Sequence, residues 1–203
     1  MRSHKKFVLN TLYHIRLFDA LRFFQKNHVI ILMYHRFSKN PEKAKIPQEV
    51  FKNQIKFLRN KYNFIHLGFY ADFLKEKEIP PNSVILTIDD GYRDNYEYAF
   101  PILKQFGVPA TIFLTTDFVN HNSWLWFNRL KYILKNTNRT ELSIPIAETG
   151  TKFFFNDYND RHQAQVRIFN HCRTLKQNAV EELLEELADT LEVEVPGKTT
   201  EDF

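Results

Sequence analysis

Four short apolar runs recur between residues 29 and 115, and helical periodicity fills the gaps between them. The runs are VIILMY at 29–34, FIHL at 64–67, SVILTI at 83–88 and ATIFLT at 110–115. Each is too short for a stable helix and is followed by turn or breaker residues, so each predicts a strand. Between the first two, Phe51, Ile55, Leu58 and Tyr62 share helical spacing after Pro47, a residue suited to a helix's first turn. YADFLKEKE predicts a second helix, stopped by Pro80 and Pro81. Residues 94–106 predict a third, with Pro101 at a kink or restart and Gly107 as its stop. Strict alternation of strand and helix implies an α/β chain with a parallel sheet and helices outside it.

After residue 115 the rhythm changes, and a boundary is expected near 117–124. Residues 124–136, 158–172 and 177–191 predict helices, and 141–156 is ambiguous, with a small hairpin as one reading. The organisation expected is 1–28 as an N-terminal amphipathic helix, 29–120 as the α/β part and 121–203 as a helical insertion. In the first segment Val8, Leu12, Ile15 and Phe18 form one stripe, which either packs on the domain or lies on an anionic membrane surface. Trp124 and Trp126 are two apart and point to different faces of a helix. Core packing is the default for both, with one a candidate to line a sugar groove. The glutamates between Glu181 and Glu186 predict a solvated face, and His66, His121, His162 and His171 are read as ordinary.

Composition narrows the function classes. The formal charge is only +4, with no long Lys/Arg block and no RNP-type aromatic motif, which argues against a nucleic-acid partner. Cys172 is the single cysteine, so neither an intramolecular disulfide nor a thiolate metal cluster is available. The longest wholly apolar run, 29–34, falls far short of the roughly 20 residues that span a bilayer. No small-residue cleavage site follows the basic start, so the expected location is cytoplasmic or at a membrane surface.

The sharpest chemical feature is Asp89-Asp90-Gly91, at the end of the third run. On a strand, successive side chains face opposite ways, so both carboxylates reach one site only if the chain turns there, as Gly91 permits. In parallel α/β folds, ligands bind beyond the carboxyl ends of the strands. Neighbouring carboxylates are tolerated beside a cation, or when one has a raised pKa. Metal-assisted hydrolysis uses both arrangements, one carboxylate holding the metal and the other taking a proton from water. The plainer alternative is an acidic turn that caps the next helix.

ILTIDDGYRDNYEYAFPILKQFGVPATIFL closely resembles the first motif region of polysaccharide deacetylases, the carbohydrate esterase family 4 or NodB-homology domain. The family's T-F-D-D-G is Thr87-Ile88-Asp89-Asp90-Gly91 here, and ILMYHRF at 31–37 resembles the first strand of one branch. The resemblance runs over roughly 29–120. It implies a partial distorted (β/α) barrel, a divalent metal, commonly zinc, and hydrolysis of acetyl groups on an N-acetylated polysaccharide. Carried over by position, Asp89 is the general base and Asp90 a metal ligand. Tyr92 lies beside the site, where it can pack against a sugar ring. His35 ends the first run on the expected rim of the site, and is read either as a hydrogen-bonded rim histidine or as a contact to substrate or to the metal-bound water.

The family's second motif, H-x-x-x-H, supplies two further ligands, and no two of the eight histidines here are four apart. The expectation is therefore an N-terminal portion of a deacetylase, ending in the helical insertion and inactive alone. Two other classes stay open. A nucleotide-sugar glycosyltransferase also uses acidic clusters after strands, though it favours D-x-D. A non-catalytic carbohydrate- or partner-binding module would keep the scaffold without the chemistry.

Overall fold

The computed structural model describes residues 28–76, 79–120, 123–144 and 151–197. The expected N-terminal amphipathic helix lies outside them. The described chain forms two compact units that divide between Thr115 and Thr116, slightly before the 117–124 expected from sequence. The division falls where the chain leaves the last parallel strand.

The first unit is built on β5 (Ser83–Asp90). Along one edge, β1 (Val29–Tyr34) pairs in parallel, from Val29 with Ser83 to Tyr34 with Ile88. Two shorter parallel strands pair with it as well: β4 (Asn63–Phe64) along Ser83 and Val84, and β6 (Thr111–Leu114) along Thr87 to Asp90. With β1 on one edge, these two share the other. The α/β class with parallel strands is thus what the chain forms, with four sheet strands among the described residues, consistent with part of a distorted (β/α) barrel. Of FIHL only Phe64 is strand, with Asn63 before it, and the chain leaves the edge well before β6 begins to pair at Thr87. His66 then starts a helix: its Nδ1 accepts from the Gly68 N–H at 3.0 Å, and α2 runs over Leu67–Glu76.

One face of the sheet is packed. Leu86 and Ile88 lie with Tyr34, Phe51, Ile55, Ile102 and Leu103 in a single core cluster. Phe51 and Ile55 come from α1 (Gln48–Arg59), one turn apart on its buried stripe. Pro47 sits just before that helix, at its N-cap position, and pairs in a short parallel bridge, Phe37–Ser38 (β2) with Ile46–Pro47 (β3), which periodicity could not reveal. Tyr34, Phe37 and Phe51 pack ring to ring at 4.8–5.9 Å. On the opposite face the register aligns Ile31 and Met33 with Ile85 and Thr87, and Phe113 with Asp89. There Met33 is 63% exposed and Phe113 51%, so this face carries apolar side chains in contact with water.

The segment 94–106 is helical but not uniformly so. A π-helical turn spans Asn95–Ala99, with the Phe100 N–H reaching back to the Asn95 carbonyl, and α3 (Phe100–Phe106) follows. Pro101 explains the change, since it donates no hydrogen bond and its ring crowds the preceding turn. Gly107, with φ 60°, ends α3 in the left-handed conformation.

The second unit has its own core. The short helix α4 (Thr116–Val119) opens it, followed by α5 (Trp126–Asn136), a hairpin of β7 (Glu141–Ile144) and β8 (Thr151–Phe154), α6 (Tyr158–Cys172) and α7 (Gln177–Thr190). The hairpin is antiparallel, resolving the ambiguity of 141–156. Leu130, Ile133, Leu142, Ile168, Leu184 and Leu187 meet in its interior. Trp126 packs against that core and stacks on Phe169 at 4.9 Å, while Trp124 donates from Nε1 to the Pro196 carbonyl at 2.7 Å. The glutamate run is not wholly solvated, because Glu181 accepts from Arg129 at 3.1 Å. Among the described residues, no helix is long and apolar enough to cross a membrane.

Candidate functional site

Asp89 and Asp90 lie at the carboxyl end of β5, half-buried. The turn that follows is made by two residues rather than one: Asp90 has φ 76° and Gly91 φ 83°. Gly91 adopts this region without strain, whereas for Asp90 it is uncommon but tolerated. The turn breaks strand alternation at Asp90, so its carboxylate is not confined to the packed face that Ile88 occupies. The Asp90 carbonyl still accepts from the Thr115 N–H at 3.3 Å, which ties the turn to the end of β6.

His35 follows β1 directly and approaches from the neighbouring strand. Its Nε2 lies 3.8 Å from Asp89 Oδ2, an electrostatic contact longer than a hydrogen bond. Both side chains reach solvent, at 47% exposure for His35 and 25% for Asp89. Burial pushes the Asp90 carboxyl above its ordinary value; His35 opposes this, Asp89 adds to it, and Arg36 opposes it. A carboxyl biased toward its neutral form is one of the two conditions that make adjacent aspartates tolerable.

A polar clamp beneath the turn was not anticipated from sequence. Asp94 is 8% exposed and accepts from Arg36 Nε at 2.7 Å and from the Phe37 N–H at 3.1 Å. Asn95 Nδ2 donates to Asp94 Oδ1 at 3.0 Å and to the His35 carbonyl at 2.8 Å. His35, Arg36 and Phe37 are thereby gripped by the residues that follow the aspartate turn. Burial raises the Asp94 carboxyl above its ordinary value despite the Arg36 bond, so desolvation outweighs the ion pair.

Tyr92 is placed differently from its sequence expectation. It is 3% exposed, and the Arg36 guanidinium lies 3.7 Å from its ring centroid. Its ring is part of the clamp's packing. The adjacency of Asp94 and Asn95 was the only signal in the sequence for the clamp, and two polar residues opening a helix ordinarily mean capping.

The donor set bears on the metal. Among the described residues, no three His, Cys, Asp or Glu side chains converge as a metal-holding group. Structural and catalytic zinc sites use three or more protein ligands. The described residues therefore do not by themselves fit a stable zinc site.

Residues 76–171 match the family model described as Polysaccharide deacetylase. The chain is 34% identical over 103 residues to YxkH of Bacillus subtilis (strain 168), named as a candidate polysaccharide deacetylase; the match covers 50% of this chain and 37% of that protein. It is 30% identical over 128 residues to a poly-beta-1,6-N-acetyl-D-glucosamine N-deacetylase of Staphylococcus aureus (strain MSSA476), covering 55% of this chain and 43% of that protein. Among solved structures, IcaB from Ammonifex degensii aligns with 30% identity and a TM-score of 0.40, covering 42% of this chain and 37% of that one. The chain thus spans less than half the length of these relatives.

Proposed function

Taking as premise that residues 76–171 are a polysaccharide deacetylase family segment, we propose that this chain carries the carboxylate half of a centre that hydrolyses N-acetyl groups on an amino-sugar polymer. The observation that supports this most is the approach of His35 to Asp89, next to Asp90, at the carboxyl end of the central parallel strand. In amide hydrolysis, water adds to the acetyl carbonyl, the C–N bond breaks, and acetate and a free amine leave. Asp89 is the general base in this reading and accepts a proton from the attacking water. His35, facing Asp89 and half exposed, contacts the substrate or that water. Asp90 is one ligand of a divalent metal, with zinc the family's common choice, and the remaining ligands come from outside the described residues. The family match favours a hydrolase over the glycosyltransferase reading.

The sequence contains no His-x-x-x-His, so the centre in this chain is short of ligands and its expected activity alone is negligible. Two measurements test the proposal. Zinc titration followed by calorimetry should show weak binding that Asp90→Asn abolishes; binding indifferent to that substitution overturns the ligand assignment. A zinc-supplemented assay on an N-acetylglucosamine oligomer should release almost no acetate, and sustained turnover would show the centre to be complete.

A further inference from the structure

The second unit contains a cavity of about 330 Å³ between α5 and α6. Lys131 and Lys135 come from α5, one turn apart, and Tyr158, Arg161 and His162 from one face of α6. Among the described residues, three cationic side chains line the cavity, and no carboxylate does. Lys131 and Lys135 are both exposed, and neither has a carboxylate partner among the described residues. Elsewhere in the unit, Lys152 pairs with Glu141, Arg129 with Glu181 and Arg139 with Glu192. The cavity is therefore a local concentration of uncompensated positive charge.

Its geometry is partly fixed in advance. Arg161 Nη1 donates to the Leu134 carbonyl at 2.8 Å and to the Thr137 carbonyl at 3.3 Å, and its guanidinium lies over the Phe155 ring at 5.3 Å. Those bonds hold the arginine at the cavity wall. At the rim, the Tyr158 and His162 rings stack nearly parallel, 6.1 Å apart with an 11° interplanar angle, and Tyr158 is 70% exposed. A flat aromatic face beside a basic hollow suits a ligand with a ring to stack and an acidic group to neutralise the lysines. The volume falls in the range of small-molecule sites.

We propose that this cavity binds a sugar ring bearing an anionic group, a phosphate or a carboxylate, with Lys131, Lys135 and Arg161 on the anion and Tyr158 against the ring. The site lies in the second unit and is independent of the chemistry proposed at Asp89 and Asp90. It assigns His162, which the sequence left as ordinary, to the platform that Tyr158 completes.

The test is an amide-shift titration of the full chain by NMR. Four probes are used: N-acetylglucosamine 6-phosphate, glucuronate, neutral N-acetylglucosamine and inorganic phosphate. One or both charged sugars should give saturable shifts confined to residues near 131–137 and 158–165, and which one does identifies the anion. Binding should be about tenfold or more tighter than for the neutral sugar or inorganic phosphate. The double variant Lys131→Gln, Lys135→Gln should weaken it by about tenfold. Both positions are exposed, and the rest of the spectrum reports whether the fold is kept. Equal binding of the neutral sugar, equal binding of inorganic phosphate, shifts located elsewhere, no saturable shift, or no loss in the lysine variant would each overturn the proposal.

Discussion

His35 Nε2 stands 3.8 Å from Asp89 Oδ2 because the register of β1 on β5 continues one step past its last paired residues, Tyr34 and Ile88. The pairing is parallel, so residues in register share a face, and the histidine falls on the same side as the aspartate. Two pieces of sequence more than 50 residues apart are thus brought together by strand alignment, with the clamp at Asp94 and Asn95 fixing the segment after β1.

The contact is too long for a hydrogen bond and half open to water, so it contributes little to folding. His35→Ala should change stability by no more than about 0.5 kcal/mol. Urea denaturation checks this, and a larger loss would mean that His35 serves the fold.

Asp94 is a different case. Asp94→Ala removes the acceptor of both the Arg36 side chain and the Phe37 N–H in a setting where Arg36 is only 17% exposed. The expected loss is about 3–5 kcal/mol, the usual result of breaking one partner out of a buried pair. Urea unfolding measures it, and a loss comparable to that of His35→Ala would show the clamp to be dispensable.

Asp90 gives a pH dependence. Its carboxyl is raised by burial, so the folded state holds a proton more tightly than the unfolded state does. The sign follows from linkage: this contribution to stability is fully present below the ordinary carboxylate pKa and is lost as pH rises through the raised one. Asp90→Asn removes the charge while keeping a side chain that tolerates φ 76°. The variant should therefore melt higher than the parent at neutral pH, and the gap should close in acid. Thermal melts from pH 3 to 7 test this, with an unchanged gap as the contrary result.

Gly107 isolates a backbone effect. A Cβ added there would meet nothing within 4 Å, so Gly107→Ala is opposed only by the φ of 60°. The expected cost is about 1–2 kcal/mol, read from chemical denaturation. A cost near zero would mean that the end of α3 readjusts.

The exposed apolar side chains of β1 and β6 predict association. Met33 and Phe113 are more than half exposed among further apolar side chains, a patch that favours contact with other apolar surface. The chain should sediment as concentration-dependent oligomers, and Met33→Lys with Phe113→Lys should shift it toward monomer. Sedimentation unaffected by these changes would place the contact elsewhere.

What could be read in advance followed the strength of the local signal. β5 was legible because it is buried along nearly its whole length and so reads as a continuous apolar run. The later helices were legible because each buries one stripe. β4 is shorter than its apolar run because the chain turns into α2 from Leu67, with the His66 side chain bonded to the Gly68 N–H, a local turn that the apolar pattern does not reveal. Asp89 and Asp90 stood out by composition. The clamp did not, because Arg36, Asp94 and Asn95 acquire meaning only once strand register brings them together. The burial of Tyr92 was hidden for the same reason: its position in the chain beside the site does not reveal which way its ring turns.

The π turn at Asn95–Ala99 fixes a phase. On its near side Asp94 and Asn95 hold the segment after β1, and on its far side Ile102 and Leu103 join the core. A single residue corresponds to about 100° of helix rotation. Removing one from this turn would leave either the polar grip or the apolar grip pointing away from its partner. The count of residues between Asp94 and Ile102 therefore behaves like the tooth spacing of a gear: it can be lengthened or shortened only if both ends are cut anew.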